Sequence, residues 1–344
     1  MSYAFGIYGG FTIANGVTIE NASSGSGNDT LIGNAVDNHL NGGAGIDTTD
    51  GGAGNDWHIV DNLGDIVIER FGEGSDRVLA TGSYRLTDGA WVEVVTAANQ
   101  SATTAINLAG NSFGQIIIGN AGTNVLDGGG GIDSLWGLTG DDVYVANGAE
   151  TIRELAGEGN DRVLVYANYT LNAGAEVELI SAADQAGTAA LRINGNELGN
   201  NIQANDGNNI LNGGGGNDTI WGLAGGDVMN GGAGSDVMIG GAGSDGYWFT
   251  DVLGPSNVDT VIGYGSGDHL FLDDAVFAGL GLGTLAAGAF RTGTTAQDAD
   301  DRILYDAATG ALYFDADGNG AGAAIHFASL IGAPSLGAGD FTVI

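Results

Sequence analysis

Aspartates recur at a fixed nine-residue interval within residues 213–248, which read GGGGNDTIW, GLAGGDVMN, GGAGSDVMI and GGAGSDGYW. The sixth position of each unit is an aspartate: Asp218, Asp227, Asp236 and Asp245. Two carboxylates held ~5 Å apart, the spacing of neighbouring strands, repel by roughly 3 kcal/mol at an effective dielectric constant of about 20. A cation between them removes that repulsion. Ca²⁺ suits such a site because it takes carboxylate and carbonyl oxygens in a flexible shell.

Turns and short strands must position these carboxylates. Glycine holds the first and fourth positions, where its tolerance of positive φ permits a tight turn over the first six residues. The eighth position holds a large side chain, which predicts a three-residue strand with that side chain inward. These side chains are Ile220, Met229, Met238 and Tyr247. Two units make a coil of 18 residues, so each unit should stack on the second unit after it, as in other repeat architectures.

The same pattern occurs in two earlier blocks of four units, and the last block opens with two degenerate units. Between the blocks, residues 146–194 repeat residues 60–109 at an offset of 85, so that Asp76 corresponds to Asp161. Asn15 and Gly16 predict a hairpin turn near the N-terminus. We therefore expect this organisation: N-terminal strands and first block 1–59, irregular β coils 60–109, second block 110–145, duplicated irregular coils 146–194, third block 195–248, and a C-terminal cap and secretion region 249–344. Short separate lobes are the alternative for the two intervening segments.

The nonapeptide resembles the calcium-binding repeat of the RTX (repeats-in-toxin) family. That resemblance implies an all-β fold, a right-handed parallel β-roll or β-solenoid whose turns sandwich Ca²⁺, closed here by a C-terminal β-rich cap. GVTIENASSGSGNDTLIGN and residues 249–344 also resemble the roll and C-terminal region of serralysin-type metalloproteases. We expect no protease domain within this sequence, since none of its four histidines lies in an H-E-x-x-H motif. Within the cap, a hairpin is expected across residues 307–310.

Each ion should lie between a turn and the second turn after it, so the three blocks allow up to about eight Ca²⁺ ions. The predicted ligands are the sixth-position side chains and the backbone of the turn glycines. The predicted carboxylates are Asp29, Asp47, Asp56, Asp133, Asp142, Asp218, Asp227, Asp236 and Asp245; the glycines are Gly25, Gly27, Gly43, Gly45, Gly129, Gly131, Gly214, Gly216, Gly225, Gly232, Gly234, Gly241 and Gly243. Asn38, Asn124 and Asn209 replace the aspartate and predict weaker sites. Asp218 with Asp236, and Asp227 with Asp245, are the best predicted pairs.

Composition restricts the partners. The formal net charge is −34 and all eight basic residues are arginines, which argues against nucleic acid or an anionic membrane as a partner. Hydrophobic residues make up 43% of the chain, too many for obligate disorder, and the absence of cysteine excludes disulfides. MSYAFGIYGG lacks the basic region of a classical signal peptide, and no apolar run is long enough to predict a transmembrane segment.

One motif raises the question of catalysis. Residues 110–114 read GNSFG and match the G-x-S-x-G nucleophile elbow around Ser112. The duplicated copy carries Glu197 in place of the serine, and the glycines follow the nine-residue period, so we interpret the match as coincidental. His58 occupies an inward eighth position and is expected to fill the core rather than bind a metal.

The sequence thus predicts a secreted, non-catalytic Ca²⁺-binding protein, exported by type I secretion machinery and folded by the ion outside the cell. Two alternatives belong to other classes. One is an accessory module of an extracellular enzyme with a polysaccharide or cell-surface ligand, similar to the repeats attached to alginate epimerases. The other is a hydrolase that uses Ser112, which we do not favour.

Overall fold

The computed structural model describes residues 18–344 and the backbone of a short strand at residues 3–4. The hairpin turn predicted at Asn15 and Gly16 lies outside the described residues. The chain divides into two compact units, Met1–Leu164 and Val165–Ile344. Each unit is an all-β parallel solenoid, and the described residues contain no α-helix. Accordingly, none of the described residues forms a helix long and apolar enough to cross a membrane.

The first unit is built from short strands. They are β1 (Tyr3–Ala4), β2 (Asn21–Ser23), β3 (Thr30–Asn34), β4 (His39–Asn41), β5 (Thr48–Gly52), β6 (Trp57–Val60), β7 (Ile66–Ile68), β8 (Arg77–Ala80), β9 (Tyr84–Arg85), β10 (Val94–Ala97), β11 (Leu108–Ala109), β12 (Ile116–Ile118), β13 (Val125–Asp127), β14 (Ser134–Trp136), β15 (Val143–Ala146) and β16 (Thr151–Arg153). Strand β17 (Arg162–Val165) lies where the two units are divided.

The second unit adds the last repeats and the cap. Its strands are β18 (Tyr169–Thr170), β19 (Leu179–Ala182), β20 (Arg192–Asn194), β21 (Asn201–Gln203), β22 (Ile210–Gly215), β23 (Thr219–Ala224), β24 (Val228–Ala233), β25 (Val237–Ala242), β26 (Gly246–Phe249), β27 (Asp259–Ile262), β28 (His269–Leu272), β29 (Gly283–Thr284), β30 (Phe290–Thr292), β31 (Ile303–Asp306), β32 (Ala311–Phe314), β33 (Ile325–Ile331) and β34 (Phe341–Val343). Two 3₁₀ turns occur at Ala287–Ala289 and Ala338–Asp340.

In the first unit, most strands pair in parallel with the second strand after them. Strand β4 pairs with β6, β5 with β7 and β6 with β8. The strands of residues 60–109 continue the same stack, because β8 pairs with β10 and β10 with β12. These irregular segments are therefore coils of the solenoid. They lose the nine-residue period; strand β8 keeps the alternation of inward and outward side chains, whereas the last three residues of β10 are all buried.

In the second unit, the pairing register places Ile220 opposite Met238 and Met229 opposite Tyr247. These partners are 18 residues apart, as predicted for a coil of two repeats. Strands β22, β23, β24 and β25 are six residues long, not the three expected. The strand pairing continues into the first three positions of the following repeat, where Gly214 pairs with Gly232. The turn between strands is therefore only three residues long, at the fourth, fifth and sixth positions of the repeat.

The core is the column of eighth-position side chains. Ile220, Met229, Met238 and Tyr247 are fully buried. Burying each large apolar side chain contributes about 1.5–3 kcal/mol, and only stacking of coils can achieve it here. In the first block, Thr49 takes this place and is buried as well, with its Oγ1 2.8 Å from the Nδ1 atom of His58.

The first strands of the cap continue the parallel stacking of the solenoid. Strand β27 pairs with β25 and β33, and β28 pairs with β26 and β34, all in parallel. Strands β31 and β32 form an antiparallel hairpin with Asp306 opposite Ala311, which confirms the hairpin predicted across residues 307–310. Phe277 makes edge-to-face contacts with Phe314 and Phe327 at centroid distances of 5.2 and 5.0 Å. The C-terminal region thus has a core of its own.

Candidate metal centre

The sixth-position carboxylates form ladders along the coils. Asp236 Oδ1 accepts the backbone N–H of Asp218 at 2.8 Å, and Asp245 Oδ1 accepts that of Asp227 at 2.9 Å. The same bond joins Asp47 Oδ1 to the backbone N–H of Asp29 at 2.8 Å. In the second block the donors are Gln115 and Asn124, which bond to Asp133 and Asp142. The predicted pairs are therefore brought together, because each carboxylate reaches one coil back.

The second oxygen of most of these carboxylates, Oδ2, accepts no hydrogen bond from the described residues. For each predicted aspartate except Asp29, Oδ2 is buried and has no hydrogen-bond partner among the described residues. The aspartates concerned are Asp47, Asp56, Asp133, Asp142, Asp218, Asp227, Asp236 and Asp245. Asp29 is half-buried. A buried anionic oxygen without a partner is strongly destabilising, so the fold leaves in place one ligand atom per turn that a cation would satisfy.

Glycine at the first position keeps space open beside each Oδ2 atom. A Cβ at Gly213 would overlap Oδ2 of Asp218 and would lie 2.5 Å from the carbonyl oxygen of Gly231. Gly222 bears the same relation to Asp227. A carboxylate oxygen of one turn and a carbonyl oxygen of the stacked turn therefore converge. Both are hard donors of the kind that Ca²⁺ takes, and the donor set fits the ion.

The predicted turn glycines supply a second row of carbonyl oxygens. A Cβ at Gly232 would overlap the carbonyl oxygen of Gly214, and one at Gly234 would overlap that of Gly216. Both Gly232 and Gly234 have positive φ, 95° and 144°, which a side chain would strain. All the predicted glycines except Gly25 share positive φ. The carbonyl oxygens therefore point from turn to turn along the coils, with no side chain between them.

Burial and mutual repulsion raise the pKa of these carboxylates. The pKa of Asp218 rises to about 7, first because the group is buried and then because Asp236 lies near it. The pKa of Asp227 also rises to about 7, with Asp245 as the neighbouring charge. Burial raises the pKa of Asp142 to about 7 and that of Asp133 to about 6. Without a cation, the fold thus resists ionisation of these groups near neutral pH.

In the turns that have asparagine at the sixth position, the side-chain amide donates hydrogen bonds to neighbouring oxygens. Asn209 Nδ2 donates to the carbonyl oxygen of Gly207 at 2.6 Å and to Asp227 Oδ1 at 3.0 Å. Asn124 Nδ2 donates to Asn120 Oδ1 at 3.0 Å. Asn38 Nδ2 donates to the carbonyl oxygen of Ile19 at 3.1 Å. The amide N–H groups supply positive partial charge where aspartate turns have none, which favours the aspartate turns as the ion sites.

The ladders extend beyond the predicted repeats through four aspartates that were not predicted as ligands. Asp65 Oδ1 accepts the backbone N–H of Asp47 at 2.9 Å, and Asp76 Oδ1 accepts that of Asp56 at 2.8 Å. In the second unit Asp259 and Asp268 accept from Asp236 and Asp245 at 3.1 and 2.9 Å. Asp65 directly precedes a short apolar run, and each of the other three is separated from such a run by a single residue, which was the available signal. The steps are 18 residues for Asp65, 20 for Asp76 and 23 in the cap.

Glu69 is a further acidic residue that the sequence did not single out. It follows β7 at the position where repeats have their first glycine, and it is 2% exposed. Its Oε1 lies 2.7 Å from Nε2 of His58. Burial raises the pKa of Glu69 to about 8 and lowers that of His58 to about 4. His58 is buried, as expected, and both ring nitrogens have protein partners.

Ser112 lies in an exposed turn between two strands of the solenoid, β11 and β12. A nucleophile elbow joins a strand to a helix, so the structural context of that motif is not met. Asn111 Oδ1 instead closes the turn by accepting the backbone N–H of Phe113 at 3.0 Å.

Comparison with known families agrees with this geometry. The profile of the RTX calcium-binding nonapeptide repeat matches four segments, which are residues 23–57, 110–149, 194–229 and 219–247. These segments contain all the aspartates predicted as ligands. A search among curated proteins found no match.

Proposed function

Because the chain carries RTX calcium-binding nonapeptide repeats, which bind Ca²⁺, we propose that Ca²⁺ binding drives its folding outside the cell. In this proposal the chain leaves the cell unfolded through a type I exporter, and the ion then assembles the coils. The protein acts as a Ca²⁺-folded extracellular module and carries no catalytic activity of its own.

One observation carries the proposal: eight of the nine predicted aspartates bury a carboxylate oxygen that has no hydrogen-bond partner in the described part of the chain. Stacking the coils without a cation leaves these charges unneutralised in rows, on a chain whose net charge is −34. Because the ligands come from stacked turns, the complete site does not exist in the unfolded chain. The free energy of ion binding is then folding free energy.

The same chemistry supports export before folding. Extracellular calcium modules bind their ions with dissociation constants of ~10⁻⁴–10⁻³ M. A chain with sites in that range stays empty where free Ca²⁺ is far lower, and therefore stays unfolded and able to thread a narrow exporter. Folding outside the cell then opposes its return. Among residues 18–344 no observation favours the alternative of a polysaccharide-binding accessory module.

Far-UV circular dichroism of the full chain tests the folding step. We expect a spectrum typical of a disordered chain in chelator and a β-type spectrum after addition of millimolar Ca²⁺. The same concentration of Mg²⁺ should restore much less β structure, since Mg²⁺ demands octahedral geometry and retains its water. A β-type spectrum that persists unchanged in chelator would refute Ca²⁺-driven folding.

A further inference from the structure

Three acidic side chains from two stacked coils meet inside the first unit. Asp56 precedes β6, Glu69 follows β7 and Asp76 precedes β8. All three are at most 2% exposed, and each offers an oxygen within 4.8 Å of the oxygens offered by the others. Oxygens on opposite sides of one Ca²⁺ ion lie about 4.6–5.2 Å apart. This separation therefore allows one ion to reach all three carboxylates.

Each carboxylate has one oxygen engaged and one left over. Asp56 Oδ1 accepts the backbone N–H of Asn38 at 2.6 Å, Asp76 Oδ1 accepts that of Asp56 at 2.8 Å, and Glu69 Oε1 contacts His58. Asp56 Oδ2, Asp76 Oδ2 and Glu69 Oε2 are buried without a hydrogen-bond partner in the described part of the chain.

The nearby arginines are engaged elsewhere. Arg70 pairs with Asp50 at 2.9 Å and with Glu73 at 3.4 Å on the surface. Arg77 lies over the ring of Trp57, with its guanidinium carbon 5.4 Å from the centroid. Neither of these contacts neutralises the three interior carboxylates.

We propose that Asp56, Glu69 and Asp76 form a further Ca²⁺ site, in which Glu69 supplies a third carboxylate from a position that the repeats give to glycine. The site joins the last repeat of the first block, which supplies Asp56, to the irregular coil that follows, which supplies Glu69 and Asp76. It takes a divalent cation that prefers oxygen, because every free donor is a carboxylate and the ring nitrogens of His58 are already bonded. This inference rests on the proposed function only in sharing the same ion.

Gly51 keeps the site open. A Cβ on Gly51 would overlap both Glu69 Oε1 and Asp56 Oδ2. Gly51 does not have the positive φ of its neighbour Gly52, so the backbone itself would accept alanine. The glycine is required by the space beside the carboxylates, which gives a substitution that crowds the site without removing a charge.

The duplicated module repeats the arrangement. Asp142, Glu154 and Asp161 are buried and offer oxygens within 4.8 Å of one another. Tyr144 takes the place of His58 and donates its hydroxyl hydrogen to Glu154 Oε1. A Cβ at Gly137 would overlap Asp142 Oδ2. The glutamate has a different hydrogen-bond partner in each copy, His58 or Tyr144. The three carboxylates are present in both copies and are therefore their common feature.

A crystal structure of the unmodified protein grown in Ca²⁺ tests the proposal directly, with calcium located by anomalous scattering at long wavelength. We expect a peak between Asp56, Glu69 and Asp76, in addition to peaks at the repeat turns. Peaks at the repeat turns with none at the trio would overturn this inference and leave the proposed function intact. The absence of calcium from every turn would contradict both.

Counting bound Ca²⁺ by equilibrium dialysis gives a test in solution. Glu69→Gln should lower the count by one ion per chain, and Glu69→Gln with Glu154→Gln by two. Gly51→Ala should also lower it by one. Gly82→Ala is the matched control, because its Cβ would meet only the carbonyl oxygen of Asp61 at an ordinary 3.4 Å, and its count should not change. Unchanged counts in folded Glu69→Gln and Gly51→Ala would overturn the proposal; should either variant fail to fold, the crystal structure alone decides.

Discussion

Asp236 Oδ1 accepts a hydrogen bond from the backbone N–H of Asp218 at 2.8 Å, although 18 residues of chain separate the two. The bond fastens one coil to the next and fixes the carboxylate, while Oδ2 of the same group is left without a partner in the described part of the chain. One side chain thus both stacks the coils and offers a ligand atom. Loss of the cation should therefore weaken the stacking itself, which links ion binding to the order of the coils.

The strength of the sites should follow the quality of the repeats. Asp227→Ala removes a carboxylate between six-residue strands whose eighth-position side chains are fully buried. Asp47→Ala acts in a block where Thr49 and Asn38 already depart from the pattern. We expect Asp227→Ala to cause the larger rise in the Ca²⁺ midpoint, measured by circular dichroism. Asp206→Ala, an exposed aspartate in the third block, is the control. Equal midpoints for Asp227→Ala and Asp47→Ala would show that the quality of the repeat does not set site strength.

The stability of the chelated protein should depend on pH in a direction opposite to that of the Ca²⁺ complex. Burial raises the pKa of Asp218 and Asp227 from 3.8 to about 7. A carboxyl group with a raised pKa in the folded state stabilises the fold below its unfolded pKa of about 4, and this contribution is lost as pH rises through 7. In chelator, residual β structure should therefore be greatest near pH 4 and fall towards pH 8. With Ca²⁺ present it should increase over that range, because ligands must be ionised. The same trend in both conditions would contradict this assignment.

The column of inward side chains should carry much of the stability of the Ca²⁺ complex. Met238 is fully buried, and its replacement by alanine should lower the free energy of unfolding by about 2–5 kcal/mol in urea titrations at saturating Ca²⁺. Ile239, the next residue, faces outward and is only partly buried, so Ile239→Ala is the matched control with a smaller loss. A loss for Met238→Ala no greater than that of the control would show that this column is not the core.

The strict repeats made the third block predictable, because Asp, Gly and apolar residues each return to the same place in the coil. Asp76, Asp259 and Asp268 were not predicted, since insertions lengthen the step between stacked aspartates to 20 or 23 residues. A search for a period of nine cannot detect them. The ladder tolerates these insertions because they lengthen the segments between strands and leave the parallel register intact.

Glu69 illustrates a different limit. Its sequence neighbourhood, DIVIER, reads as an ordinary strand with a polar end. Only the stacking of one coil on the next places Glu69 beside both Asp56 and Asp76. The contact of Glu69 with the two aspartates depends on which side chains of each coil point inward, and the sequence of this segment does not indicate that. Asp65, by contrast, lies 18 residues after Asp47 and directly before an apolar run, so the sequence contained its signal.

Residues 249–344 should carry an export signal. Deleting them is a poor test, because Asp259 and Asp268 hold the backbone of Asp236 and Asp245, and Phe341 is buried in β34. Fusion of residues 249–344 to the C-terminus of a small cytoplasmic protein avoids this difficulty. We expect the fusion in the medium of a host with a type I exporter, and its retention in a matched host without one. Retention in both hosts would place the signal elsewhere.

Hydrogen exchange of the peptides that cover residues 213–248, followed by mass spectrometry, tests the central claim most directly. The backbone amides of Asp218 and Asp227 are held by carboxylates of the next coil, so they report stacking of the ladder itself. With millimolar Ca²⁺ we predict strong protection of these peptides, and in chelator exchange at the rate of an unfolded chain. Equal protection in the two conditions would contradict the account, because the ladder would then be stable without its cation.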